Sequence, residues 1–531
     1  MRIDRISLKL AAAAVAISAL TTNAPVIAAK PAPETAVSNP AVPRCVLRAP
    51  GRIEYNNPSE RAEPVILTKH SGTFAGRHID YVAEVGRLPI RDFATGEVRG
   101  WMSYAAYRVP SKTGEAARPI TFAWGGGPSG PGSGVDSGYL GPKTWQGETL
   151  VDNPATLLPV SDMVFIDPVG TGFSVPARPE LLSEFFTLQG DGASFAEFIR
   201  VWLSHYGEAH TSIYLYGPSY GSWRAGVVSE MLETKGIDVT GTMLISGGIL
   251  LGPDVLSPME KAAYRVPAQA ATALHYGKLD PALGRTIADV TAHAQDWIES
   301  VYLPALRRIG TLSSVEREDI ARDLSRYTGY PLGKIDRKVL AFSQPEYRRN
   351  LLGNGQTVDF LDMRDVATRV PGQGEQARQL RYIREELGFC SDLAYGGLEQ
   401  GYTAATQPPY KTPGEQWKYD IAEGTAVSVD PLEEGVGPPV KGKSWMVNAI
   451  KINPKLKVFV GVGLFDSMNS CAGNLAQLRR VEPAVAQNFT AKCYENGHRM
   501  GVDPSNLANL GTDLRGFIER TRYRPKGKDD E

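Results

Sequence analysis

The sequence predicts an α/β chain: a mostly parallel central sheet with helices on both faces, interrupted by a largely helical insertion. Three observations predict it. Apolar, β-prone runs alternate with amphipathic helical patterns through residues 119–250, the rhythm of strands joined by crossover helices. From 251 to 442 helical patterns and Pro- and Gly-rich loops take over. The run Leu456–Gly463 and an amphipathic stretch at 504–522 then resume the first rhythm.

At 531 residues the chain suits one large domain carrying an insertion better than a minimal fold. Its 57 Lys and Arg nearly balance 58 Asp and Glu, so net charge gives no electrostatic case for nucleic acid or an anionic membrane as partner. The first element is an address. Arg2, Arg5 and Lys9 precede the apolar run Leu10–Leu20, and Val26-Ile27-Ala28 or Ile27-Ala28-Ala29 supplies a small-residue cleavage pattern. Residues 1–29 are expected to be a signal peptide, because the run is too short to span a bilayer. Residues 30–63, rich in Ala and Pro, are expected to be a flexible leader. The expected location is therefore outside the cytoplasm, periplasmic or extracellular, with no membrane attachment after cleavage.

The first core segment is expected over 64–250. Val65–Thr68, His78–Val85 and Met102–Tyr107 are short β-prone runs separated by turns such as Thr95-Gly96-Glu97, which predicts an antiparallel meander. Pro119–Trp124 and Ser161–Ile166 read as buried strands, 191–207 as an amphipathic helix, and 212–216 as a strand leading into a helix at 223–233. Thr242–Leu250 reads as a further strand. Within the insertion, expected at 251–442, helical patterns cover Pro258–Tyr276, Ala282–Arg308, Ser313–Tyr327 and Gln373–Leu387. The second core segment is expected over 443–523 and a frayed tail over 524–531.

Between the strand and helix at 212–233 lies Gly217-Pro218-Ser219-Tyr220-Gly221, a G-x-S-x-G. The glycines let a strand turn sharply into a helix, exposing the serine and aiming the Tyr220 amide at whatever it attacks. A serine hydroxyl needs a histidine to take its proton, and the histidine needs a carboxylate to hold its tautomer. Of seven histidines, His498 sits late, in a Gly-containing loop before the last helix, and Asp466 follows the last apolar strand. The order Ser219, Asp466, His498 is that of α/β-hydrolases, with the insertion falling in the long gap. The glycine-rich run 125–133, following the strand at 119–124, also matches the dinucleotide-binding pattern G-x-G-x-x-G. Pro128 and Pro131 break the helix that pattern requires, so bare amides for an oxyanion hole are the better use of it. No H-E-x-x-H or paired-cysteine zinc signature is present.

Four cysteines allow three pairings. Cys471 lies five residues after Asp466 and Cys493 five before His498. A bridge between them would limit the drift of acid and base loops, which is the reason to expect Cys471–Cys493, leaving Cys45–Cys390.

Several blocks resemble the serine carboxypeptidase family, peptidase S10. Ala123-Trp124-Gly125-Gly126-Gly127-Pro128-Ser129 stands where that family has W-x-N-G-G-P-G, and residues 164–174 resemble its L-F-I-D-x-P-V-G-T-G-F-S, one residue shorter. Gly217–Gly221 replaces its G-E-S-Y-G. The resemblance implies an α/β-hydrolase fold with a helical cap insertion, nucleophile Ser219, acid Asp466, base His498, and oxyanion amides from Gly127 and Tyr220. It implies a serine hydrolase that releases C-terminal residues from peptides through an acyl-enzyme, with no metal or organic cofactor; the expected signal peptide at 1–29 makes it an exported one. Two departures bear on specificity. The family's Asn and Glu, which help grip a peptide's C-terminal carboxylate, are Gly125 and Pro218 here. Gly125, Gly126 and Pro218 therefore line an altered substrate site, and Arg224 or Arg499 could restore the grip with a bidentate contact. Without that Glu, activity should follow a neutral His498 and favour neutral-to-alkaline pH. The alternative is an esterase or acyltransferase on the same scaffold, acting on a small acyl substrate. A binding protein without turnover is disfavoured because all three triad residues are present.

Overall fold

The computed structural model describes residues 65–523 except 112–116, 207–210, 253–254, 369–372, 392, 394, 397–415 and 419–443. The expected signal peptide, leader and tail, Cys45, and most of the loop-rich stretch before 443 lie outside the described residues.

Nine strands form the path of the main sheet: β1 (Ile66–Phe74), β2 (Arg77–Arg91), β3 (Val98–Arg108), β4 (Ile120–Ala123), β5 (Asp162–Ile166), β6 (Ile213–Pro218), β7 (Gly241–Ile245), β8 (Lys457–Gly463) and β9 (Phe489–Tyr494). Their spatial order is β1-β2-β3-β5-β4-β6-β7-β8-β9. The first three form an antiparallel meander and β3 meets β5 antiparallel, whereas every pairing from β5 to β9 is parallel. The meander strands run longer than their apolar cores suggest, because paired backbone continues into polar residues at both ends.

Alternation along the strands assigns the two faces. Ile213, Leu215, Leu244, Val458 and Val460 belong to one core cluster, and Tyr214, Tyr216, Met243, Ile245 and Phe459 to another. The first face is covered by α1 (Leu188–Tyr206) and α2 (Tyr220–Thr234), through Phe195, Phe198, Trp202, Val228 and Leu232. The second is covered by the C-terminal helix Pro504–Thr521, through Leu510, Leu514, Phe517 and Ile518. Burying each such aliphatic or aromatic side chain contributes roughly 1.5–3 kcal/mol, and both faces are apolar as a parallel sheet requires. This is the α/β-hydrolase fold.

After β7 the chain leaves the sheet at Ser246, whose φ of 51° turns the backbone where a longer strand to Leu250 was expected. It then builds helices α3 (Pro258–Tyr264), α4 (Val266–His275), α5 (Ile287–Trp297), α6 (Ser314–Thr328) and α7 (Gln344–Asn350). Ser257, Ser313 and Ser343 open α3, α6 and α7 with reciprocal capping boxes to Glu260, Glu316 and Glu346. What reads in sequence as one helix over 258–276 is two, broken at Arg265 ahead of Pro267. These helices share a core of their own that also takes in Phe465 and Ala476, residues beside the expected acid. A helix at Gln373–Arg381 and α8 (Trp445–Ile452) precede β8, and α9 (Cys471–Leu478) lies between β8 and β9.

Candidate active site

Ser219 sits between the end of β6 and the first residue of α2, with φ 55° and ψ −129°. Such a conformation strains a non-glycine residue and persists only when its surroundings impose it. Here the Ser219 amide donates to the Ile245 carbonyl at 2.8 Å, and its carbonyl accepts from the Ser222 amide at 2.9 Å. The Ser219 hydroxyl does not cap the helix it precedes. Gly217 is required: a Cβ there would lie 1.9 Å from the Gly221 carbonyl oxygen. The helix begins at Tyr220, earlier than the apolar spacing from Trp223 suggests, so the Tyr220 amide lies at its N-terminus.

Asp466 follows β8 and is fully buried. Its Oδ1 accepts from the amides of Met468 at 2.8 Å and Asn469 at 3.2 Å, and its Oδ2 lies 2.8 Å from His498 Nδ1. A carboxylate can only accept, so the Nδ1 proton belongs to the histidine and Nε2 is left as the basic nitrogen. The His498 amide donates to the Leu361 carbonyl at 2.6 Å, and its carbonyl accepts from Ser246 Oγ at 2.8 Å. Asn469 Nδ2 donates to the Ser246 carbonyl at 2.7 Å. Register brings the strand termini that precede the three expected residues to one end of the sheet: Pro218 pairs with Ile245, Ile245 with Gly461, and Gly463 with Tyr494. Ser219, Asp466 and His498 follow the C-terminal ends of β6, β8 and β9, with β7 lying between β6 and β8.

The glycine run lies against the nucleophile. A Cβ on Gly126 would be 3.4 Å from Ser219 Oγ and 2.7 Å from the Pro218 carbonyl oxygen. Gly127 follows directly, with φ 107°. The loop is folded on itself by a 2.7 Å bond from the Gly130 amide to the Gly126 carbonyl. A Cβ on Gly125 would therefore meet the Gly130 and Pro131 carbonyl oxygens at 2.4 and 2.7 Å. No side chain fits at 125 unless the loop moves.

Arg224 is a correction. Its guanidinium is fully buried rather than presented to substrate, and donates to Asp191, Gly125 and Pro128. Arg499 is exposed beside His498.

The block at 167–174 is scaffold. Asp167 Oδ1 accepts from the Gly132 amide at 2.8 Å and its Oδ2 from Ser103 Oγ at 2.7 Å, while Ser174 Oγ donates to its carbonyl at 2.8 Å. Burial pushes the Asp167 carboxyl up to about 6 despite these donors. It thereby anchors the far end of the glycine run.

Cys471 and Cys493 form a disulfide with a Cα–Cα distance of 5.8 Å, joining the start of α9 to β9. Sequence reading missed the polar supports of these loops. Arg265, at the break between α3 and α4, donates from Nη1 to the Ser467 carbonyl at 2.7 Å. Met363 donates to the Phe465 carbonyl at 2.9 Å, and Arg364 Nη1 to the Glu495 carbonyl at 3.2 Å. The one available signal was Pro267, which breaks the helix and sets Arg265 at the seam.

Residues 103–294 match the family model described as serine carboxypeptidase (peptidase S10). That stretch is similar to the serine carboxypeptidase family. It holds Ser219 and the glycine run, while Asp466 and His498 lie beyond it. The protein is a serine hydrolase. No curated protein sequence matches the chain. Solved structures similar to it include a prohormone-processing carboxypeptidase from Saccharomyces cerevisiae, 13% identical, covering 83% of this chain and 91% of that one, with TM-score 0.46. A proline iminopeptidase from Mycobacterium smegmatis is 11% identical, covering 82% of this chain and 98% of its own, with TM-score 0.34. A haloalkane dehalogenase from Bradyrhizobium elkanii is also 11% identical, covering 86% and 98%, with TM-score 0.34.

Proposed function

We propose that this protein is an exported serine carboxypeptidase-type hydrolase that releases C-terminal residues from peptides through Ser219, His498 and Asp466. The observation that carries the reading is the 2.8 Å contact of His498 Nδ1 with the buried Asp466 carboxylate, at the same end of the sheet as the strained Ser219. His498 Nε2 takes the proton as Ser219 Oγ attacks the substrate carbonyl, and the amides of Gly127 and Tyr220 receive the negative charge that develops on oxygen. His498 returns the proton to the leaving amine, leaving an acyl group on Ser219. Water, deprotonated by His498, then releases the acid and restores the serine. Export is supported by the cleavage pattern at 26–29 and by the disulfide, a bond favoured in oxidising compartments; among the described residues no helix is long and apolar enough to cross a membrane.

A second reading keeps this chemistry on esters or other acyl donors. It is favoured by the closed packing at Gly125 and by the commitment of Arg224 to buried partners. The test compares a blocked dipeptide with a free C-terminal carboxylate, its amide and its methyl ester, with Ser219→Ala as blank. Preference for the free acid upholds the peptidase reading, and turnover of the ester alone replaces it with the second. Activity that survives in Ser219→Ala overturns both.

A further inference from the structure

Arg224 lies one and a half turns into the helix that Ser219 precedes, yet its side chain serves the glycine run rather than the helix. Nε donates to Asp191 Oδ2 at 2.7 Å and Nη2 to Asp191 Oδ1 at 3.1 Å. Nη1 donates to the Gly125 carbonyl at 2.8 Å and Nη2 to the Pro128 carbonyl at 3.0 Å. The two carbonyls bracket Gly126 and Gly127. Phe195 and Tyr220 cover the guanidinium carbon, at 4.6 and 5.3 Å from their ring centroids. One side chain thus joins the nucleophile helix, the preceding helix through Asp191, and the loop that lies against Ser219.

We propose that Arg224, anchored by Asp191, is a positioning residue that holds the Gly127 amide in fixed relation to the Tyr220 amide, so that both meet the same developing oxyanion. The inference rests on the proposed acyl chemistry at Ser219. Stability alone gives little reason for the pair, because apolar side chains of similar volume commonly serve a core as well as a buried ion pair does. The geometry gives a better one. Only a planar fork with five donors meets a carboxylate and two carbonyls at once. Gripping them fixes the peptide units on either side of Gly126 and Gly127, while the Gly126 carbonyl, which shares its peptide unit with the Gly127 amide, is held by the Gly130 amide at 2.7 Å. Trp124 Nε1 adds a second tie, donating to the Gly221 carbonyl at 2.9 Å, and Asp167 holds the loop's far end at Gly132.

The test uses Arg224→Lys, which keeps a cation for Asp191 but loses the fork, and Asp191→Asn, which loosens the anchor while leaving both carbonyl bonds in place. Each is assayed with p-nitrophenyl acetate, with phenylboronic acid as a tetrahedral mimic, and by thermal melting. For Arg224→Lys the expected result is a folded protein with kcat lowered about 30- to 300-fold and KM within about three-fold. Boronate affinity falls with kcat, because both need the oxyanion donors in place. Asp191→Asn should show the same split at smaller amplitude. A folded Arg224→Lys with kcat within about three-fold of the parent overturns the proposal, as does a kcat loss with boronate affinity unchanged. If neither variant folds, the pair is structural and the proposal fails. Turnover persisting in Ser219→Ala would instead overturn the proposed chemistry, whatever the Arg224 variants do.

Discussion

At the scale of single residues, the contact between Asp466 and His498 sets the sharpest expectation. Asp466→Asn would present an amide where the Nδ1 proton needs an acceptor and favour the wrong tautomer, so kcat should fall by about 10⁴ with KM little changed. Steady-state kinetics on any turned-over ester checks this. Asp136 gives a second expectation, in stability. Burial pushes its carboxyl up to about 8, with Tyr107 donating to Oδ2 at 2.6 Å. The folded protein therefore keeps a proton that the unfolded chain releases near pH 4. The stability this group contributes is present at low pH and lost as pH rises through about 8. His70, lowered to about 4, acts in the opposite sense, but only below its ordinary value of 6.5, and Asp167, raised to about 6, is largely titrated by then. The melting temperature should thus fall from pH 6.5 to 8.5, and fall less in Asp136→Asn, which keeps an acceptor for Tyr107. Residues whose chemistry depends on type and order were legible in sequence: a serine between glycines, an acid after a strand, a histidine before the last helix. Arg224 was not, because a basic residue on a helix does not say whether it faces solvent or a carboxylate 33 positions away on another helix.

At the scale of elements, the helical insertion grips the candidate acid and base loops. The Arg265 bond to the Ser467 carbonyl, the Leu361 carbonyl under the His498 amide, and the shared packing of Phe465 make its helices part of the site's support. Arg265→Met should lower kcat by about ten-fold and speed amide exchange over residues 465–470 without slowing substrate binding; unchanged exchange there would assign Arg265 to the insertion alone. A displacement of less than an ångström is enough for such a loss. The strands β4 to β8 were readable because burial on both faces makes them continuous apolar runs. β9 was missed, since only Phe489 and Tyr494 in it are buried and its middle reads Thr-Ala-Lys-Cys. The break at Arg265 was also missed, because α3 and α4 keep one apolar rhythm across it.

At the scale of the whole molecule, the chain returns to its sheet after a long excursion, and the covalent tie between α9 and β9 closes the last part of that return. The 22-residue separation of Cys471 and Cys493 corresponds to about 3 kcal/mol of lost unfolded-state freedom. Replacing both with serine should lower unfolding free energy by that order in denaturant titration, with a smaller effect on kcat while the protein stays folded. The architecture was legible because alternating strands and helices, then a helical interruption, then a single returning strand leave few ways to close a parallel sheet. The tight fold of the glycine run has a consequence for the redesign of this enzyme. With carbonyl oxygens filling the space beside Gly125, asparagine at that position is not one step away. Gly125→Asn alone should fail to create a preference for free carboxylates and should destabilise the protein. The loop must first be re-threaded, so a change of substrate here would have to come as a block of substitutions rather than by gradual drift.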